Sequence, residues 1–106
     1  MKQIDSITME TILCAAIWYK NVEPRATHRP KNTPGGVVLC GYRHGDIISQ
    51  VVSLTGKKHH ELGESIQGFL TNKNRFVDRK EAAVIFTQNG GELHYTTDEL
   101  FSEDLY

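Results

Sequence analysis

Apolar residues fall along this chain in two rhythms, and each rhythm predicts a different kind of element. Residues 8–19, TMETILCAAIWY, mix β-branched and aromatic side chains with no polar stripe at helical spacing, which predicts a buried strand over about 10–19. Residues 20–36 turn polar and carry Pro24, Pro30, Pro34 and the Gly35-Gly36 pair, a composition that breaks regular structure and predicts a long loop. A loop of that length in a small domain is more often functional or intersubunit than idle. GVVLCGY at 36–42 reads as a second buried strand ending at Gly41 or just beyond. The period then changes: Ile47, Ile48, Val51, Val52 and Leu54 describe one face of a helix over 44–56, which Gly56 can stop. A polar turn over 57–64 precedes a third strand, SIQGFLT, at 65–71. Asp78 can accept a backbone N–H at a helix start, and Glu81 three residues on can complete a reciprocal cap, so a second helix is expected over 79–88, ended by Asn89, Gly90 and Gly91. A short strand at 92–96 and a final turn or helix at 98–105 complete the reading. The expected class is α+β, a small antiparallel or mixed β-sheet with two main helices.

With 106 residues and 39% hydrophobic content, the chain can close one core, so residues 1–106 are expected to form a single domain. A domain this short gains much by sharing apolar surface between subunits, which favours self-association. Cys14 and Cys40 each lie in an apolar run, where a thiol usually behaves as a small buried hydrophobe, and both are read as reduced. No basic-then-apolar leader opens the sequence and no apolar stretch approaches the roughly 20 residues that span a bilayer, so the cytosol is the expected compartment.

A net charge of −1 argues against a general binder of nucleic-acid polymers. Its distribution says more. All 12 Lys and Arg lie within residues 1–80, whereas residues 81–106 hold only acids among their charged groups. The acidic tail is expected to fold onto the basic part of its own subunit or of a neighbour.

The segment 72–80, NKNRFVDRK, gathers Lys73, Arg75, Arg79 and Lys80 around a predicted helix start. Exposed cations there oppose the macrodipole at about 0.3–1 kcal/mol each, and an anion would remove the conflict. A phosphate would meet free backbone N–H groups, the dipole and two guanidiniums able to pair with it. Phe76 between them either offers its ring to a base or points into the core while the arginines point out. A second candidate is Arg43-His44-Gly45-Asp46, where a strand hands over to a helix; His44 either donates to a phosphate or joins Asp46 in an ordinary cap. His28, His44, His59, His60 and His94 show no metal-ligand spacing, there is no Cys-x-x-Cys, and neither a phosphate loop nor a nucleophile elbow is present, so no metal, cofactor or catalytic residue is expected.

Three blocks, GYRHGDII at 41–48, QGFLTNKNRFVDRKEAA at 67–83 and LFSEDLY at 100–106, occur in that order. In them the chain resembles the first family of Thoeris anti-defence proteins, phage sponges that capture the cyclic ADP-ribose signal of bacterial TIR-domain defence enzymes. The resemblance implies a symmetric homo-oligomer built from dimers, as a dimer or a trimer of dimers, acting in the host bacterial cytosol. The ligand would lie between subunits and be released intact; some members also hold cyclic di- or trinucleotides. In such proteins arginines four residues apart clamp the pyrophosphate, and Arg75 and Arg79 match that pair. The family's usual aromatic after the Arg-His pair is Ile48 here, which puts base stacking at that position in doubt. The candidate ligand-binding set is Arg43, His44, Phe69, Thr71, Asn74, Arg75, Phe76 and Arg79.

Two other readings compete. A small phosphohydrolase or cyclic-nucleotide phosphodiesterase would use His44 as acid or base, with the arginines stabilising developing charge. A phage inhibitor of a host protein would instead dock the acidic end through Phe101 and Tyr106.

Overall fold

The strand over Ile12–Tyr19 (β1) is the organising element of the computed structural model, which describes residues 9–106. Thr8, the first residue of the apolar run, and the opening segment read as lacking a leader lie outside the described residues. β1 pairs antiparallel with Val37–Gly41 (β2) on one side and with Ser65–Thr71 (β3) on the other. A short strand, Phe76–Asp78 (β4), pairs antiparallel with β3 and completes a sheet of order β2-β1-β3-β4.

Alternation along β1 sends Ala15, Ile17 and Tyr19 to one face, where they join Phe69, Val77 and the apolar sides of two helices. The first helix, α1, spans His44–Thr55 and contributes Ile47 and Val51. It ends at Gly56, whose φ of 72° gives the left-handed turn that lets its N–H bond the Val52 carbonyl. The second, α2, spans Arg79–Gln88 and contributes Ala82, Ala83 and Ile85. A 3-10 turn over His59–Leu62 and a four-residue helix, α3, over Ser102–Leu105 complete the elements. The domain is thus α+β, a four-stranded antiparallel sheet with two main helices on one face.

The opposite face is covered by the proline-rich loop. Trp18 Nε1 donates to the Gly35 carbonyl at 2.9 Å, and the Trp18 ring meets Phe76 edge-on at 5.8 Å. Asn32 lies along the outer edge of β4, accepting from the Phe76 N–H at 2.8 Å and donating to the Phe76 carbonyl at 2.6 Å. One amide side chain therefore stands in for a neighbouring strand and satisfies backbone groups that an open edge would leave free.

Four expectations need correction. β4 falls inside the polar segment 72–80, whose short alternation is too brief to mark a strand without its partner β3. No strand forms over 92–96; Leu100 N–H instead bonds the Arg79 carbonyl, so the segment leads the tail back to α2. β2 is half-buried rather than buried, since it is an edge strand, and Cys40 on it is exposed with Cys14 beside it intermediate. The Asp78 side chain accepts from Lys80 and Glu81 N–H as expected, but the Glu81 carboxylate turns to Arg75 and completes no reciprocal cap.

Candidate functional site

The basic segment folds as a hairpin loop followed by a helix start. Thr71 N–H bonds the Arg75 carbonyl, and Asn74 N–H returns to the Thr71 carbonyl, a turn that Asn74 enters at φ 56°. Thr71 is buried; its hydroxyl accepts from the N–H groups of Lys73 and Arg75 and donates to Glu10 at 2.7 Å. Asn74 is exposed, and its amide reaches the Arg29 carbonyl at 3.3 Å, while its own carbonyl accepts from Lys31 N–H at 2.8 Å.

Both arginines of the pair already hold partners within the chain. Arg75 Nε donates to Glu10 at 2.8 Å, and Nη2 donates to Glu10 at 2.9 Å and to Glu81 at 2.8 Å. The Arg75 bond holds the Glu10 carboxyl down at about 2, and the same two carboxylates push the guanidinium up from its ordinary value. Arg75 at this helix start is thus neutralised by the chain's own carboxylates, one of them 65 residues away. Arg79 is directed elsewhere: Nη1 donates to the Leu100 carbonyl at 2.9 Å, Nη2 to Gln67 Oε1 at 2.8 Å, and the guanidinium lies 4.6 Å from the Phe101 ring centre. Burial lowers its pKa, opposed by Glu99 and Glu103 nearby. A cavity of about 230 Å³ opens beside it, lined by Gln67, Asp78, Arg79, Lys80 and Glu99. The two guanidiniums share no polar partner.

Phe69 has no exposed surface and Phe76 only 5%, so both pack in the interior and neither offers a ring to a base. His44 is also buried, with Nε2 2.8 Å from the Gly68 carbonyl and its ring edge-on to Phe69 at 5.2 Å. A carbonyl only accepts, so Nε2 carries the proton. Burial first, and Arg79 also, push the His44 pKa down, which keeps the ring neutral. The cap at this helix is made by Asp46, which accepts from Arg43 N–H at 3.2 Å.

Arg43 is the member of the set with donor capacity left over. Its Nη1 is buried and has no hydrogen-bond partner among the described residues. The guanidinium lies 5.0 Å from the Tyr42 ring centre and 5.8 Å from that of Tyr106. Those two rings stack at 4.3 Å and 20°, yet remain 56% and 50% exposed. Tyr106 OH donates to the Leu13 carbonyl at 3.2 Å, tying the chain end to β1. A cation beside two accessible aromatic faces can pair with an anion and stack a planar base at once. The ligand-binding set read from the sequence left out Tyr42, Tyr106 and Phe101, the last two being read only as docking anchors, because nothing local joins residue 42 to residue 106.

Among the described residues there is no group of three or more His, Cys, Asp or Glu side chains arranged to hold a metal ion, and no helix is long and apolar enough to cross a membrane. A family model described as Phage T4 y16D protein matches residues 11–106. No curated protein and no solved structure matches the chain.

Proposed function

The chain belongs to the Phage T4 y16D protein family, and from that premise we propose that it is an anti-defence sponge, a phage protein that captures a cyclic ADP-ribose-type immune signal and holds it uncleaved. Cyclic di- and trinucleotides are the second ligand class of this reading. The observation that carries it is Arg43, whose buried Nη1 has no partner among the described residues and whose guanidinium stands beside the exposed Tyr42 and Tyr106 rings. A pyrophosphate oxygen would satisfy that donor, and an adenine could stack on the tyrosine faces. Arg79, with Phe101 against it and an open cavity at its side, is the second cation of the proposed site.

Capture without cleavage requires complementarity to the ground state and no transition-state machinery. His44, the proton-transfer group of the phosphohydrolase alternative, is buried, neutral and bonded to Gly68, which favours the sponge over that enzyme. The docking-inhibitor alternative needs the acidic end free, whereas Leu100, Phe101, Asp104 and Tyr106 are engaged with the chain itself. Arg75 joins the site only by exchanging a carboxylate for a phosphate, a step that a second subunit in the proposed homo-oligomer of dimers would facilitate.

Calorimetric titration with glycocyclic ADP-ribose and, in parallel, with a cyclic trinucleotide tests the proposal, followed by chromatography of the ligand released on heating. Tight binding with intact recovery is expected, and Arg43→Ala should weaken it at least tenfold, with any fall in the urea midpoint measured alongside because the guanidinium also packs on Tyr42 and Tyr106. A cleaved product would favour the enzyme, and no binding to either ligand would favour the docking inhibitor.

A further inference from the structure

The two edges of the sheet are finished differently. Along β4, the Asn32 side chain takes up the backbone groups of Phe76. β2 has β1 on its inner side and, among the described residues, no hydrogen-bonded neighbour on its outer side. Such an edge turns alternate N–H and C=O groups outward, ready to pair with another strand. Beside it a cavity of about 310 Å³ opens between β2 and α1, lined by apolar groups that include Val37, Leu39, Val51 and Leu54. Leu54 is 88% exposed, and with Ser49, Gln50 and Ser53 it borders a shallow groove along the helix.

We propose that this edge is an interface with a second copy of the chain, in which β2 pairs antiparallel with β2 of the copy and the sheet continues across a two-fold axis at Leu39. Antiparallel pairing of identical strands is self-complementary, so one surface serves both subunits. The helix spacing fits this arrangement. α1 packs over both β1 and β2, which sets its axis about half a strand spacing inside β2. The two α1 helices then lie two strand spacings apart, roughly 10 Å at about 4.8 Å per strand, a distance at which helices pack. Charge supports the same register. Gly41 lies against Ile47 near the start of α1, and the helix runs back along β2, so Leu39 sits beside the middle of α1. The two-fold therefore sets Asp46, in the first turn of one helix, opposite Lys57 and Lys58 just beyond the end of the other. All three side chains are exposed, and none has an ion-pair partner among the described residues. Opposite charges so placed fix register more than they add affinity, whereas Leu54 of each subunit, set against the groove of the other, supplies apolar burial. This surface gives the dimer of the proposed oligomer its place and holds whichever ligand is bound.

Sedimentation velocity of the full-length protein without ligand, read together with hydrogen exchange over a concentration series, tests the interface. At about 100 μM the chain should sediment as a dimer or a multiple of one, and the amides of Val37–Gly41 should exchange more slowly than in dilute solution while those of Phe76–Asp78 do not change. Leu54→Glu puts a carboxylate where the side chain already meets water, so the fold is kept, and it should weaken association by about tenfold or more and remove the concentration dependence at β2. A chain that stays monomeric at the higher concentration, or an oligomer that Leu54→Glu leaves intact, would overturn the proposal. Because mass and exchange are read without ligand, neither outcome depends on the titrations above.

Discussion

At the scale of single residues, the chain's charges are more committed than their positions suggest. Glu10 receives two bonds from Arg75 and one from Thr71, and its side chain is 18% exposed, so Glu10→Gln should cost about 1–2 kcal/mol at neutral pH. Because its folded pKa of about 2 lies below the ordinary carboxylate value of 4.5, that stabilisation is complete above 4.5 and lost as pH falls through 2. Urea denaturation of both proteins across this range should show the difference shrinking toward zero; a constant difference would sink the assignment. His44 acts in the same direction in a higher window. Its depressed pKa means that the unfolded chain takes up a proton as pH falls through about 6.5 while the folded chain resists, so acid favours unfolding. His44→Gln, which keeps a donor toward Gly68 and cannot titrate, should flatten the stability profile between about pH 7 and pH 5.

At the scale of elements, close approach explains what propensity does not. Gly68 lies mid-strand in β3, between β1 and β4, and a methyl group there would fall on the Val77 carbonyl oxygen. Gly68→Ala should therefore part β4 from β3 and cost about 1–3 kcal/mol, read as a lower urea midpoint and faster hydrogen exchange at Phe76–Asp78. The helices and β3 were legible because their signals are local: a 3.6 period closed by Gly56, a seven-residue run carrying Ile66, Phe69 and Leu70 after a polar turn, and an Asp78 cap. β4 was not legible, since three residues carry no period and its pairing depends on β3 and on Asn32, 44 residues from Phe76.

At the scale of the whole molecule, the loop and the tail act as layers rather than connections. Residues 20–36 cover the face of the sheet that has no helix, and the tail brings buried Leu100 into the core and Tyr106 against Tyr42. Deleting residues 100–106 should cost at least about 2 kcal/mol through loss of Leu100 alone, lower the melting temperature and release Arg79 Nη1. An unchanged melting temperature would show that the tail is not part of the core. The amino-acid pattern was enough for β1 to β3, the two main helices and the α+β class, because propensity, capping and periodicity act between near neighbours in the chain. Which residues remain open to a ligand was settled by folding. Glu10 meets Arg75 across 65 positions and Tyr106 reaches Leu13 across 93, so partner choice depends on long-range contacts that no local pattern encodes.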